Sequence, residues 1–186
     1  MLKSFCLSWA LLLAAVGALA APPIAAPLQT VPTLDLPRYM GTWHEVAKYP
    51  NRFQRDCVAD TSADYQLQPN GTVRVVNRCR QADGRFKEAV GQARAVGGPG
   101  TATLEVRFAP AWLAWLPAVW GDYWVIDLDP AYRLVAVSEP QREYLWVLSR
   151  TPTVAPEAYH ALRQRLAQQG FDLSRLVEAP GAVPPR

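Results

Sequence analysis

The chain has 186 residues, 50% of them hydrophobic, and its 19 basic and 16 acidic side chains leave a formal charge of +3. Because these charges nearly balance and are interspersed with apolar residues, they give no case for nucleic-acid binding. The length allows one domain with a substantial core, and the sequence shows neither an internal repeat nor a second domain.

Residues 1–20 have the composition of a secretory signal peptide. Lys3 provides the positive start, the run from Leu7 to Leu19 the apolar centre, and Ala18 to Ala20 a small-x-small cleavage site. The apolar run is short for a membrane anchor. A lipid-anchored form would need a cysteine just after this run, whereas Cys6 lies before it. We therefore expect an exported protein without a lipobox.

Residues 21–37 are rich in proline and small residues, which predicts a mobile leader before a folded domain at 38–178. From Gly41 onward, short strand-like runs alternate with turn signals, a pattern typical of all-β proteins. We predict eight strands, at 42–49, 58–68, 72–80, 86–95, 101–108, 121–128, 132–138 and 144–150. Eight strands suffice to close a barrel around one small ligand.

The connections between these runs favour an up-and-down antiparallel order. Turn sequences occur at Pro69–Gly71, Ala82–Gly84, Gly97–Gly100 and Asp129–Pro130. No connection before residue 150 is long and helical enough for a parallel crossover. Residues 156–169 are typical of an amphipathic helix that packs on the outside of the barrel, and residues 179–186 are expected to form a flexible tail.

Two cysteines remain after removal of the signal, Cys57 and Cys79. In an exported chain an even pair predicts a disulfide, and this pair brackets an expected hairpin. Two independent buried thiols are the alternative.

Three segments carry a resemblance to a known family: Tyr39–Ala47, which contains Gly41 and Trp43; Gly121–Asp127; and Leu148–Thr153, which contains Arg150. In this order they resemble the three sequence blocks of the lipocalins, most of all those of the bacterial outer-membrane lipocalins, apolipoprotein D and the plant temperature-induced lipocalins. The resemblance covers residues 35–178. It implies that the Trp43 indole lies under the Arg150 guanidinium and seals one end of the barrel, a structural role.

Alternation along the strands predicts an apolar lumen, for which the ligand-binding candidates are Tyr65, Val75, Tyr123, Val125, Leu134, Trp146 and Leu148. Such a lumen suits a fatty acyl chain or a flat apolar molecule. The alternative is that these side chains fill the barrel completely. The opposite face of several strands is apolar as well, for example at Trp124 and Ile126, so parity alone does not separate inside from outside.

The connection 108–120 carries no charge and is rich in tryptophan. An up-and-down barrel places it at the open mouth, opposite the sealed end. There we expect membrane or acyl-chain contact from Trp112, Leu113, Trp115, Leu116 and Trp120. An inward-folded lid and a dimer contact are the alternatives.

For a phosphate or carboxylate head group, the candidate contacts at the mouth are Arg80, Arg85 and Arg142, with solvated surface charge as the alternative for each. Catalysis has little support. His44 and His160 stand apart, without the spacing of metal ligands. Cys57 has a partner in Cys79 and no neighbouring base. We expect no catalytic residue, no metal and no cofactor.

The resemblance implies a non-catalytic bacterial lipocalin in the periplasm or at the periplasmic face of the outer membrane. There it would carry fatty acids or lysophospholipids for envelope lipid storage, transport or repair, with peripheral membrane contact and no nucleic-acid partner. Two rival functions stay open: a lipocalin-fold enzyme acting on a lipid or pigment, and a tetrapyrrole (haem) binder that depends on His44. The sequence leaves the natural ligand and the oligomeric state open.

Overall fold

The computed structural model describes residues 26–184, so the expected signal peptide at 1–20 lies outside the described residues. The described chain forms nine strands: β1 (Gly41–Lys48), β2 (Ala59–Leu67), β3 (Val73–Arg80), β4 (Phe86–Ala95), β5 (Thr103–Arg107), β6 (Gly121–Leu128), β7 (Leu134–Ser138), β8 (Leu145–Ser149) and β9 (Val177–Glu178). The first eight are the predicted strands, with every boundary within two residues of the expected one. The short β9 was not predicted.

The barrel closes because β1 has a strand partner on each side. It pairs antiparallel with β2 over Gly41–His44 and with β8 from His44 to Lys48, while β2 to β8 pair in chain order. A register shift between Glu45 and Ala47 marks a bulge in β1. Bulges of this kind bend a strand and increase its twist. The predicted eight-stranded up-and-down antiparallel barrel is therefore confirmed, and β9 adds a short pairing at Ala47 and Lys48.

Two helices and four short 3₁₀ turns complete the part of the chain that the structure describes. Helix α1 (Leu36–Tyr39) begins after Asp35, whose side chain accepts a hydrogen bond from the Arg38 backbone N–H. Helix α2 (Pro156–Gln168) is the predicted C-terminal helix. The 3₁₀ turns are Arg52–Gln54, Ala111–Leu113, Pro117–Val119 and Leu173–Arg175.

The core consists of two clusters, one on each side of the barrel wall. The outer cluster packs Tyr159, Leu162 and Leu166 of α2 against residues such as Val46 and Leu145 on the outside of the barrel. The inner cluster fills the end of the barrel where α1 lies, and contains Leu34, Tyr39, Trp43, Ala63, Tyr65, Val73, Val75, Ala93, Ala102, Leu104, Val125, Val135, Val137 and Leu148. We call that end the closed end and the opposite end the mouth.

The segments before and after the barrel are packed, contrary to the expected mobile leader and flexible tail. Leu28 is buried in the outer cluster and Leu34 in the inner one. The Val31 N–H donates to the Val125 carbonyl at 2.9 Å. At the other terminus Ala182 is buried and its carbonyl accepts from the Val154 N–H at 2.9 Å. The prediction is wrong over 26–37 and 179–184 because proline-rich composition conceals a few well-placed apolar anchors.

The closed end is held by the contact expected between Trp43 and Arg150. The Arg150 guanidinium lies 4.0 Å from the centroid of the buried indole and donates hydrogen bonds to the carbonyls of Thr42, Arg38 and Tyr132 at 3.1, 2.7 and 3.2 Å. The indole N–H donates to the Tyr39 carbonyl at 2.9 Å. One cation therefore joins the end of β8 to β1, α1 and the β6–β7 connection.

Replacing Arg150 with alanine should lower the free energy of unfolding by about 1 to 3 kcal/mol, because three carbonyls lose a charged donor and the indole loses its cation. Thermal denaturation measures this change. Arg85→Ala is the matched control, since Arg85 pairs only with the exposed Asp83 at the mouth. Equal melting temperatures for the two variants would contradict the assigned role of Arg150.

Candidate ligand cavity

A cavity of about 720 Å³ lies inside the barrel between the closed end and the mouth. This volume is within the range of pockets that bind small molecules. Its walls are apolar and come from β3, β4, β5, β7 and β8, through Val73, Val75, Ala93, Leu104, Val106, Val137 and Leu148. The side chains therefore leave the barrel unfilled, which decides against the alternative of a completely packed lumen.

Five of the seven ligand-binding candidates line this cavity: Tyr65, Val75, Tyr123, Trp146 and Leu148. Val125 also faces inward but is buried in the inner cluster without lining the cavity. Leu134 is corrected, because it lies in the outer cluster beneath α2, and β7 directs Val135 and Val137 inward instead. Both faces of β7 are buried and residues 134–137 are all apolar, so an apolar–polar alternation could not show which side chains face inward. Contact of the five lining residues with a ligand stays a prediction.

Three tyrosines form the floor of the cavity. The Tyr123 hydroxyl lies 2.7 Å from the Tyr39 hydroxyl and 3.0 Å from the Tyr65 hydroxyl, and all three residues line the cavity. Burial raises the pKa of Tyr65 to about 12 and raises the pKa values of Tyr39 and Tyr123 well above their ordinary range. The three phenols are therefore protonated near neutral pH. The sequence pointed to Tyr65 and Tyr123, but Tyr39 on α1 was missed as a cavity residue.

A buried carboxylate organises the wall near the mouth. Glu45 accepts hydrogen bonds from Lys48 Nζ at 2.7 Å and from Gln54 Nε2 at 2.6 Å. The Gln54 side-chain oxygen accepts from the Trp146 indole N–H at 2.9 Å and from Asn51 Nδ2 at 2.7 Å. This network fixes the turn after β1 against β8, and it accounts for the only strongly buried acid of β1. Sequence reasoning missed Glu45, although it has the same inward parity as Trp43 and lies before the bulge.

The predicted disulfide between Cys57 and Cys79 is confirmed, with their Cα atoms 5.4 Å apart. It ties the β1–β2 connection to the mouth end of β3. Beside it, Lys87 Nζ lies 2.8 Å from Asp56, and the hydrogen bond from Lys87 lowers the pKa of that carboxyl. The disulfide and this ion pair therefore both hold the β1–β2 connection at the mouth.

None of the three arginines expected at the head group lines the cavity. Arg80 pairs with Asp60 and Arg85 with Asp83, each at 2.7 Å, on the exposed surface. Arg142 donates to the carbonyls of Gln169 and Ala26 at 2.8 and 2.7 Å, which ties it to the end of α2 and the N-terminal segment. The cationic residues that do line the cavity are Arg52, Arg78 and Lys87. Of these, Lys87 lies at alternate positions with Ala89 and Ala93 on the inward face of β4. Alternation along this strand could therefore have identified Lys87 from the sequence.

The connection 108–120 has an exposed half and an anchored half. Trp112 and Trp115 are 74% and 75% exposed, whereas Leu113 and Leu116 are half-buried. The Trp120 ring lies 4.0 Å from the Arg94 guanidinium, and its N–H donates to the Ala114 carbonyl at 2.9 Å. Trp120 therefore anchors the segment and lines the cavity, and its expected membrane or acyl-chain contact stays a prediction.

Phe108 enters the cavity mouth across a glycine. A Cβ atom on Gly91 would lie 2.8 Å from two ring atoms of Phe108 and 2.7 Å from the Arg107 carbonyl oxygen. Real Cβ contacts essentially never come this close, so only glycine at position 91 allows the ring to lie there.

Gly91→Ala should therefore destabilise the protein by about 1 to 3 kcal/mol, because the added methyl group overpacks the site and displaces Phe108. Thermal denaturation measures the loss. The matched control is Gly121→Ala, also at a strand position at the mouth, where the nearest atom to an added Cβ is 3.8 Å away. The control should be neutral or slightly stabilising. Identical behaviour of the two variants would contradict the tight Gly91–Phe108 contact.

Within residues 26–184, no three side chains of the His, Cys, Asp and Glu types are grouped so that they could hold a metal ion. His44 lies next to Trp43 on β1 and so faces away from the lumen, and it does not line the cavity. This position offers no support for a tetrapyrrole site that depends on His44. No helix in the described part of the chain is both long and apolar enough to cross a membrane.

Comparison with known proteins gives a consistent result. Residues 34–181 match the family model described as a lipocalin-like domain. Temperature-induced lipocalin-1 of Arabidopsis thaliana is 38% identical over 160 residues, which cover 85% of each chain. Outer membrane lipoprotein Blc of Escherichia coli K12 is 36% identical over 155 residues, 82% of this chain and 83% of that protein. The structure of insecticyanin from Manduca sexta superposes with a TM-score of 0.64 at 16% identity, covering 86% of this chain and 87% of that one.

Proposed function

The chain belongs to the lipocalin family, and on that premise we propose that it is a non-catalytic carrier of fatty acids or lysophospholipids in the bacterial cell envelope. One observation carries the proposal: the barrel encloses a cavity of about 720 Å³ that is lined mainly by apolar side chains and is sealed at one end by Arg150 and Trp43. A single acyl chain matches this arrangement. Its methylene groups would contact the apolar walls while its head group stays at the mouth.

Burial of the chain supplies the affinity, at about 0.8 kcal/mol for each methylene group removed from water. The head group remains outside because an unpaired charge in an apolar lumen is costly. At the mouth, Arg52 and Lys87 offer cations to a phosphate or carboxylate. These two residues replace Arg80, Arg85 and Arg142 as the proposed head-group contacts.

An envelope location is supported by the signal-like residues 1–20 and by the Cys57–Cys79 disulfide, since disulfides persist in oxidising compartments such as the periplasm. A relative with 36% identity is named an outer membrane lipoprotein. In this chain the cysteine of the N-terminal segment, Cys6, precedes the apolar run. We place the protein in the periplasm or at the periplasmic face of the outer membrane, where its proposed roles are lipid storage, transport or repair.

Reversible membrane contact would be made by the rim of the mouth. The exposed indoles of Trp112 and Trp115 lie on the connection between β5 and β6, and two more exposed rings lie at the same rim, Phe53 on the β1–β2 connection and Phe86 at the start of β4. Indole rings favour the headgroup level of a bilayer, where the ring is partly in hydrocarbon and the N–H stays hydrated. Docking by this rim would place the cavity opening against the lipids that it takes up.

Filling the lumen should abolish lipid binding. Val75→Trp places an indole in the cavity, whereas Arg74→Trp places the same side chain on the outer face of the same strand. We expect hexadecanoic acid and lysophosphatidylcholine to bind Val75→Trp at least about tenfold more weakly, the equivalent of a few buried methylene groups, and to bind Arg74→Trp as they bind the wild type. Isothermal titration calorimetry measures both. Undiminished binding to Val75→Trp would show that the ligand lies elsewhere.

Membrane contact is tested by Trp112→Ser/Trp115→Ser. This variant should keep its melting temperature and its affinity for hexadecanoic acid in solution, because both rings are exposed, yet co-sediment several-fold less with vesicles of phosphatidylethanolamine and phosphatidylglycerol. Leu67→Ser/Val96→Ser is the control, since it removes two exposed apolar side chains at the closed end. If both double variants co-sediment equally, or if the tryptophan variant unfolds, docking by this rim is wrong.

A further inference from the structure

We propose that the tyrosine floor of the cavity is a hydrogen-bond donor site that selects ligands with a neutral oxygen, hydroxyl or keto, at their inner end. The tyrosine floor consists of Tyr39, Tyr65 and Tyr123. The inference rests on the proposed function as a lipid carrier and narrows its ligand class to chains that are oxygenated at the end remote from the head group.

The hydroxyls of the floor are satisfied only by one another. Tyr123 is the hub, at 2.7 Å from Tyr39 and 3.0 Å from Tyr65. Within residues 26–184, no other side chain or backbone group lies within hydrogen-bonding distance of these three oxygens. Three hydroxyls carry three hydrogens, and two hydroxyl–hydroxyl contacts use two of them. Whichever way the donors are arranged, one hydrogen remains for a partner in the cavity.

The site is built into the closed end. Tyr39 and Tyr65 are stacked with ring centroids 5.6 Å apart, and Tyr39 packs on Trp43 at 5.1 Å. The Trp43 indole is in turn held under Arg150, so the floor has a fixed position below the apolar walls. A ligand that reaches the bottom of the cavity meets this donor.

Charge distinguishes a neutral oxygen from a carboxylate at this position. All the cationic residues that line the cavity lie toward the mouth: Arg52 on the β1–β2 connection, Arg78 near the end of β3 and Lys87 near the start of β4. Arg150 lies beyond the Trp43 ring and donates to three backbone carbonyls. A carboxylate at the floor would therefore be buried without a counter-ion, which is costly, whereas a hydroxyl or keto oxygen needs only the available hydrogen.

Packing at the closed end requires the three aromatic rings but not their hydroxyl groups. Three phenylalanines would occupy nearly the same volume without the cost of removing three hydroxyls from water. Replacing all partners of a buried hydrogen-bond group by apolar groups of the same shape is often close to neutral for stability. The variant Tyr39→Phe/Tyr65→Phe/Tyr123→Phe is therefore expected to fold while it removes every donor from the floor.

The experiment compares hexadecanoic acid with 16-hydroxyhexadecanoic acid, and dodecanoic acid with 12-hydroxydodecanoic acid, by isothermal titration calorimetry. For each pair the measured quantity is the ratio of the two dissociation constants, which removes the contribution of the shared chain and head group. Three variants accompany the wild type: the triple phenylalanine variant, the hub variant Tyr123→Phe, and Tyr159→Phe as a control. Tyr159 is a buried tyrosine of the outer cluster and does not line the cavity.

For the chain length that reaches the floor, we expect the triple variant to lose preference for the hydroxylated acid by about three- to tenfold relative to the wild type, the value of one hydrogen bond. Tyr159→Phe should keep the wild-type ratio. Tyr123→Phe should increase the preference, because removal of the hub leaves two hydroxyls, each with an unpaired hydrogen. A merely structural role for the cluster would not produce this opposition between the hub and triple variants.

Two failures are distinguishable. If none of the four acids binds the folded wild type, the proposed lipid carriage is wrong, and this inference falls with it. If the acids bind but the ratios are the same in the wild type and the triple variant, the floor does not recognise an oxygen and only this inference is overturned. Circular dichroism confirms folding of each variant. Should the triple variant fail to fold, Tyr123→Phe decides alone: an increased preference supports the inference, and an unchanged or reduced preference overturns it.

Discussion

The stack of Arg150 on Trp43 is the contact on which the rest of the molecule depends. A barrel of eight strands has two ends, and this cation closes one of them by joining β8 to β1, α1 and the β6–β7 connection. Gly41 is needed here because its φ of +92° suits glycine and a side chain would crowd the guanidinium at 3.3 Å. Because this end is sealed, the lumen has a single entrance, and a lipid can enter it in only two orientations.

The polar groups near the lumen divide according to charge and depth. Charged groups lie near the mouth, where Glu45 is paired with Lys48 and Lys87 with Asp56. Neutral hydroxyls lie at the floor, and the walls between are mainly apolar. In such an arrangement the walls provide affinity without orientation, while the two polar ends provide orientation. This arrangement suits an amphiphile, whose apolar tail would contact the walls and whose polar head would stay at the mouth.

Sequence reasoning predicted the barrel well, because turn residues and the blocks around Trp43 and Arg150 report on local geometry. It was less successful in deciding which side chains face the lumen, because that depends on the register of the strands. Bulges in β1 and β6 change the parity of the strand, and β7 is buried on both faces, so Leu134 could not be assigned from alternation. Arg80 and Arg142 failed for another reason: their partners, Asp60 and the Gln169 carbonyl, are distant in sequence and become visible only in the folded chain. The partner of Arg85, Asp83, is only two residues away in the sequence.

The packed N-terminal segment makes the starting point of the folded chain matter for stability. Leu28 lies in the outer cluster and Leu34 in the inner one, so a few residues near the start of the described chain connect the two hydrophobic cores across the barrel wall. A processing event upstream of Leu28 leaves both anchors in place, whereas trimming between them would detach the outer one and retain the inner. The segment that precedes α1 is thus part of the folding energetics, and recombinant forms that begin at α1 would lack two core side chains.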